Sequence, residues 1–216
     1  MKRSEYLKAW DAEYRQQGRL WTGKQADVPV LEKGAFALEL GCGDGKTLLA
    51  LAKQDCDLLG IDISPAALRI AQAALKKDGH CAQLLQGDVT ALPIDDEALD
   101  VVVAYHVLDH VYQEDREAAS EEIARVLRPG GTLFFRGFSR EDLRSKKGEQ
   151  VEEATVLRGN GILYHYFKAD EVQSLFQGLE PVEVRVRKWK MGNKEELTRS
   201  FVLGTFCRPS IMENDL

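Results

Sequence analysis

Ala37-Leu-Glu-Leu-Gly-Cys-Gly-Asp-Gly45 is the stretch on which the reading of this chain turns. An apolar run from Phe36 to Leu40 ends in a glycine-rich turn, and a helical segment over Thr47–Gln54 follows. Glycines at 41, 43 and 45 permit a tight turn and close approach of backbone to a ligand, with N–H groups at a helix N-terminus aimed at an anion. Spacing then separates the possible ligands. A dinucleotide loop requires a glycine three positions after Gly43, where Lys46 stands. A P-loop requires one five positions before Gly45, where Leu40 stands, so both phosphate motifs fail narrowly.

Outward from this loop the chain alternates. Leu58–Ile61 is a second apolar run closed by Asp62, and Ser64-Pro65 reads as a helix cap followed by proline at the first helical position. Leu68, Ala71 and Leu75 form the buried stripe of that helix, Lys76 and Lys77 fall in its last turn, and Gly79 stops it. Next come Gln83–Gln86, Gly87-Asp88, and Leu99–Tyr105, an almost unbroken apolar run of the kind a strand buried on both faces requires. A helix over Glu114–Leu127 turns at Pro129-Gly130-Gly131 into Thr132–Phe135. Strands alternating with helices imply a doubly wound, mostly parallel α/β sheet. Toward the C-terminus, Asp170–Gln177 reads as helix. Val182–Val186 and Ser200–Phe206 read as a hairpin on the sheet edge, turning at Gly192-Asn193.

Composition bounds the function. The chain has 216 residues with Lys+Arg 29 against Asp+Glu 35, a formal charge of -6, and 44% hydrophobic and 30% charged residues, an ordinary globular balance. Cys42, Cys56, Cys81 and Cys207 form no CxxC or close pair, which suits a reducing compartment, and cytoplasm is the expected location. Residues 1–14 carry charges throughout with no apolar core, and no window approaches ~18 apolar residues, so no membrane association is expected. Net negative charge argues against nucleic acid as a partner. Arg185, Arg187, Lys188 and Lys190 alternate with Val184, Val186 and Trp189 as one solvated face of an edge strand would.

Three carboxylates bear on the ligand's charge. Glu39 ends the first strand, Asp62 the second, and Asp88 follows the third, so all three project into the crevice at the carboxyl edge of the sheet. A triphosphate would meet this acidic rim with only Lys46 nearby, whereas a ligand with a ribose, an ammonium and a sulfonium suits it. The 37–45 stretch, Leu59-Gly-Ile-Asp-Ile-Ser64, Gln86-Gly-Asp-Val89, Leu99–Tyr105 and Leu127-Arg-Pro-Gly-Gly-Thr-Leu133 together resemble the successive motifs of class I S-adenosylmethionine-dependent methyltransferases. The resemblance spans Phe36–Phe138 and implies S-adenosylmethionine as cofactor, S-adenosylhomocysteine as product, and a seven-stranded sheet with a C-terminal antiparallel hairpin strand. It also implies that the amides of Gly41, Cys42, Gly43, Asp44 and Gly45 hold the methionine portion. Asp62 would hold the ribose, Ile63 the adenine face, and Asp88 with Val89 the adenine edge, while Glu39 and Tyr105 complete the cofactor site.

Methyl transfer from a sulfonium is an in-line displacement that needs alignment, exclusion of water and, for some acceptors, removal of a proton. Tyr105, His106, Asp109 and His110, with the later Tyr164-His165-Tyr166 run, are the candidates for that last role, His106 and His110 foremost because imidazole titrates near neutrality. His106-Val-Leu-Asp-His110 also has the form HxxDH, but His106 directly follows a strand-like run, so no metal site is expected. Tyr14, Trp21, Tyr164, His165 and Tyr166 are candidates for the substrate pocket. Tyr6, Trp10 and Tyr14 recur every four residues, so residues 1–35 form a helical cap that either docks on the body or covers the cofactor. One domain is expected, with 36–138 as the cofactor half, 139–161 as a variable loop or lid, and 162–208 completing the sheet. With the overall charge negative, a small-molecule acceptor is expected, and the sequence does not set the oligomeric state. Two other readings stand beside this one: a nucleotide-binding protein using Gly45-Lys46-Thr47, and a cofactor-binding regulatory subunit without catalysis.

Overall fold

The computed structural model describes residues 3–20, 27–190 and 198–210, the first five of these as backbone alone. In chain order the elements are α1 (Arg3–Gln17), β1 (Phe36–Leu40), α2 (Lys46–Leu51), β2 (Asp57–Asp62), α3 (Pro65–Asp78), β3 (Gln83–Gln86) and β4 (Leu99–Tyr105). A short 3-10 turn (Leu108–His110) leads into α4 (Gln113–Val126), β5 (Leu127–Phe138), β6 (Glu149–Glu152), β7 (Thr155–Leu157) and β8 (Leu163–His165). The chain continues through α5 (Ala169–Leu175), β9 (Glu180–Lys190) and β10 (Thr198–Cys207).

Seven strands form one sheet in the order β3-β2-β1-β4-β5-β10-β9. Strands β1 to β5 run parallel, and β10 lies antiparallel between β5 and β9. The doubly wound sheet with its C-terminal antiparallel pair is the architecture expected from the sequence. Strand order reverses between β1 and β4, and open α/β sheets leave a crevice for ligands at such a reversal, beyond the carboxyl ends of the strands. The loop after β1 and the loop after β4 therefore face one another across it.

Leu38, Leu40, Val102 and Ala104 on the two central strands are fully buried. Each large aliphatic side chain contributes ~1.5–3 kcal/mol on burial, so this pair of strands is a rigid base for the loops above it. On α4, Ala119, Ile123 and Val126 are equally buried and pack toward Phe135 and Phe176. The local signals around α3 operate as their chemistry requires: Ser64 Oγ accepts the Ala67 N–H at 3.0 Å, Pro65 is the first helical residue, and Gly79 ends the helix with φ 73°.

Three expectations are corrected. The helix expected to run through Leu127 stops at Val126, and β5 begins at Leu127, ahead of the Pro-Gly-Gly that was expected to make the turn. Gly130 (φ 80°) and a register shift between Leu99 and Val101 absorb the irregularity. The stretch from Ser139 to Gly161, expected as a variable loop or lid, is not irregular throughout, because β6 and β7 lie within it and pair antiparallel with β8 in a separate three-stranded sheet. Charged residues mask the short alternation there. The helix expected over Thr47–Gln54 closes at Leu51. The turn expected at Gly192-Asn193 lies outside the described residues. Among the described residues, no helix is long and apolar enough to cross a membrane.

Candidate active site

The glycine loop is held by its own backbone. The N–H groups of Gly41 and Cys42 both donate to the Ile61 carbonyl (2.8 and 2.9 Å), and that of Gly45 donates to the Cys42 carbonyl (2.9 Å). The Gly43 N–H donates to Asp62 Oδ2 at 2.8 Å. The expectation that the loop amides hold the cofactor's methionine portion is corrected for these four, since each already has a partner inside the protein. What the glycines supply is space and conformation. Gly41, Gly43 and Gly45 have φ of 70°, 52° and 82°. A Cβ on Gly41 would stand 2.5 Å from Val107 Cγ2, and one on Gly43 would stand 2.5 Å from the Tyr14 hydroxyl.

Asp62 ties this loop to β2 and α3, for its second oxygen, Oδ1, accepts the Ser64 N–H at 2.8 Å. Burial pushes its carboxyl up to about 6 against the pull of those two N–H groups, with Asp11 and Asp44 adding to the rise. Glu39, also buried, is held by Thr47 and the Leu48 backbone, and burial pushes its carboxyl well above the usual range. Its Oε2 is buried with no hydrogen-bond partner. Asp44 Oδ2 accepts the Leu20 N–H at 2.8 Å, and Asp88 Oδ1 accepts from the Thr90 N–H and hydroxyl at 3.0 and 2.9 Å.

Helix α1 is fastened over this assembly. Asp11 Oδ1 accepts the Ser64 hydroxyl (2.8 Å) and the Ala66 N–H (3.0 Å), capping α3 from a distant part of the chain. Tyr14 is buried against Ala66 and Ala67 with its hydroxyl over Gly43, and Trp10 lies 5.7 Å from the Tyr14 ring.

A cleft of about 710 Å³ opens here, within the ~300–1,000 Å³ range of small-molecule sites. Every residue expected to hold the cofactor lines it except Gly45, which packs against Ala71. Tyr105, His106, His110 and Tyr14 line it as well. Tyr164, His165 and Tyr166 do not. The Tyr164 ring stacks under the Arg158 guanidinium (3.7 Å) and meets His110 edge-on, and the Tyr166 hydroxyl donates to the Arg144 carbonyl. His165 is buried between Thr155 Oγ1 (2.8 Å) and Glu171 Oε1 (2.6 Å). Period-two alternation along β8 sends Tyr164 and His165 to opposite faces, and Tyr166 lies beyond the end of that strand. Trp21 lies outside the described residues.

The two histidines of the HxxDH stretch differ. His106 has φ 57°, a left-handed conformation that turns its ring back across the cleft, and its Nδ1 lies 2.9 Å from Asp109 Oδ2. Asp109 is fully buried, and its Oδ1 accepts the Phe138 N–H at 2.6 Å, so the carboxylate fixes the imidazole with Nδ1 as donor. The ring sits 4.6 Å from both Phe138 and Phe201. His110 uses Nδ1 on the Leu163 carbonyl (2.7 Å), and burial pushes it down to about 4, which leaves it neutral.

The sequence reading missed the far wall: Phe138, Phe201, Trp189, Arg136, Arg144 and Arg199. The available signal was strand alternation, which puts Arg136 with Phe138 and Arg199 with Phe201 on shared faces at the carboxyl edge of the sheet. The glycine loop with positive φ, the acidic β2 end and the partnerless Glu39 oxygen fit an S-adenosylmethionine whose ammonium needs an acceptor. The far wall leaves aromatic and cationic surface for the acceptor.

Comparison with known proteins agrees with this geometry. Residues 38–135 match the family model described as a methyltransferase domain. The tRNA N(3)-cytidine methyltransferase METTL2 of Gallus gallus is 29% identical over 80% of this chain and 50% of its own length. Its counterpart in Danio rerio is 30% identical over 74% of this chain and 50% of its own. The chain thus spans about half the length of these curated relatives. A solved SAM-dependent methyltransferase of Methanosarcina mazei superimposes with a TM-score of 0.72 at 23% identity, covering 84% of this chain and 95% of that one. These relatives overturn the expectation of a small-molecule acceptor and of no nucleic-acid partner. A charge of -6 averages over the whole surface, whereas contact with an acceptor depends on the few residues at the cleft mouth.

Proposed function

We propose that this chain, which belongs to the class I S-adenosylmethionine-dependent methyltransferases, methylates the N3 ring nitrogen of a cytosine in tRNA. The resemblance over most of the chain to enzymes named for that reaction carries the reading, and the aromatic and cationic far wall supports it, because unstacked bases are held by aromatic faces and phosphates by arginine. In the same reading residues 1–35 cap the cofactor, 36–138 hold it, 139–161 face the acceptor, 162–208 complete the sheet, and the enzyme works in the cytoplasm.

Bound S-adenosylmethionine supplies a methyl group on a sulfonium already activated to leave. N3 of neutral cytosine presents a lone pair, so no proton has to be removed before attack. The task left to the side chains is alignment. Asp62 would hold the ribose and Glu39 the ammonium, Ile63, Val89 and Asp88 would hold the adenine, and Tyr105 would close the near wall. Phe138 and Phe201 guide the cytosine ring beside His106. With Nδ1–H bonded to Asp109, His106 offers the Nε2 lone pair to the exocyclic amino group, which sits next to N3 and marks the base as cytosine. Neutral His110 and Tyr14 shape the pocket.

The experiment is incubation of the purified chain with unmodified tRNA and S-adenosylmethionine, followed by digestion to nucleosides and mass spectrometry. N3-methylcytidine is expected, and His106→Gln is expected to lower its yield at least tenfold without changing cofactor affinity. Absence of any methylated nucleoside from protein that binds S-adenosylhomocysteine would refute the RNA reading.

A further inference from the structure

Arg144 and Arg199 come from different parts of the chain, the turns after β5 and the start of β10, yet meet on one carboxylate. Arg144 Nε lies 2.9 Å from Asp142 Oδ1, and Arg199 Nε lies 2.8 Å from Asp142 Oδ2. The Asp142 side chain is fully buried and also accepts the N–H groups of Arg144 (3.0 Å) and Ser200 (3.2 Å), so it cannot swing. Two guanidinium groups on one carboxylate leave a net charge of about +1 at the cleft wall.

The terminal nitrogens distinguish these two from the structural arginines Arg125 and Arg208. Arg125 and Arg208 use their Nη groups on backbone carbonyls, Leu92 and Ile94 for the first, Ala124 and Leu127 among those for the second. Arg144 and Arg199 bind Asp142 through Nε, as Arg125 also binds Glu122, but Arg144 Nη2 is buried without a partner. Aromatic faces back both: the Arg144 guanidinium lies 4.7 Å from the Phe138 ring, and that of Arg199 lies 5.8 Å from Trp189 and 5.9 Å from Phe201. All five side chains line the cleft.

We propose that Arg144 and Arg199, splinted by Asp142, form a phosphate clamp that holds the nucleotide backbone beside the base being methylated. The proposal rests on the RNA reading above for its ligand and extends it by a site and a chemistry. Paired guanidinium forks match phosphate oxygens bidentately, and adjacent aromatic rings are the surfaces on which flanking bases stack. The clamp stands beside Phe138 and Phe201, which flank His106, so a phosphate held there places its own nucleotide at the reading histidine.

The test compares cytidine, cytidine 3′- and 5′-monophosphates, and a short oligoribonucleotide with one central cytidine. Binding is measured by calorimetry and by competition, in wild type, Arg144→Gln and Arg199→Gln. Wild type is expected to bind the phosphorylated probes at least tenfold more tightly than cytidine. Each variant is expected to lose about tenfold for those probes, to keep its cytidine affinity, and to lower the salt slope of oligonucleotide binding by about one. S-adenosylhomocysteine affinity reports on folding; should Arg144→Gln not fold, Arg144→Lys keeps the charge beside Asp142 without the fork and is expected to lose part of the discrimination. Equal losses for cytidine and the phosphorylated probes, or no loss for either, would overturn the clamp. The two readings separate cleanly. RNA methylated without arginine-dependent phosphate discrimination removes the clamp alone, while arginine-dependent nucleotide binding without methylation of any RNA removes the tRNA reading and leaves the clamp.

Discussion

Asp62 gives the cofactor site a dependence on pH that can be worked out before it is measured. Burial pushes its carboxyl up to about 6, outweighing the two N–H groups that it accepts. In the proposed site, ribose hydroxyls donating to it would favour the charged form, so the ionised Asp62 is expected to bind. At pH 7.5 nearly all of it is ionised, and at pH 5 roughly one part in eleven is, so cofactor affinity is expected to fall about tenfold between those values, ~1.4 kcal/mol. Asp62→Asn removes the titration and leaves one oxygen for two backbone donors, so either the Gly43 or the Ser64 N–H is orphaned. Its affinity is expected to be lower by ~1–3 kcal/mol and less steep with pH, Glu39 being the buried carboxyl that remains. Calorimetric titration with S-adenosylhomocysteine at half-unit steps from pH 5 to 7.5 measures both. A flat wild-type profile would refute the reasoning, and an unchanged slope in Asp62→Asn would move the titration to another group.

Stability has a matching pair of opposed effects. Asp62 is raised above its unfolded value of 3.8, so the folded state takes up that proton first and gains stability as pH falls from about 6 toward 3.8. His110 is lowered from 6.5 to about 4, so the unfolded state is protonated first and stability is lost as pH falls across that interval, by about 3 kcal/mol. Urea unfolding between pH 4.5 and 7 is expected to show stability rising more steeply with pH in Asp62→Asn than in wild type, and shifted toward falling with pH in His110→Gln; identical slopes in all three would contradict it. Gly43→Ala sets a Cβ 2.5 Å from the Tyr14 hydroxyl at φ 52°. It is expected to abolish measurable cofactor binding, with partial recovery in the Tyr14→Phe background; recovery to wild-type affinity would mean that the left-handed backbone adds no cost of its own, against the ~1–2 kcal/mol expected.

The cofactor half was legible because each of its signals is local. A strand, a glycine turn, a carboxylate at a strand end and a Ser-Pro helix start lie within a few residues of one another, and backbone sterics force nearly the same geometry wherever they occur. The acceptor wall was not legible, because it joins residues far apart in the chain. Arg144 and Arg199 meet only through Asp142, and Phe201 reaches His106 only because β10 lies against β5. His165 illustrates the opposite error. Its place between two tyrosines suggested a pocket, but a buried imidazole with a partner on each nitrogen is a cross-link between β7, β8 and α5. The amide expectation failed for a related reason, since the loop's donors close the turn itself before any ligand arrives.

Helix α1 bears on the order of events in turnover. Asp11 on Ser64 and Ala66, Tyr14 over Gly43, and Leu20 on Asp44 are three fastenings that join one segment to the two loops around the cofactor. In the proposed reaction, release of spent cofactor is expected to require these contacts to part, with the acceptor entering from the side of Arg144, Arg199 and Trp189. If that separation holds, an RNA would stay engaged while the cofactor is exchanged, and the opening of α1 would be a step able to limit turnover independently of the methyl transfer.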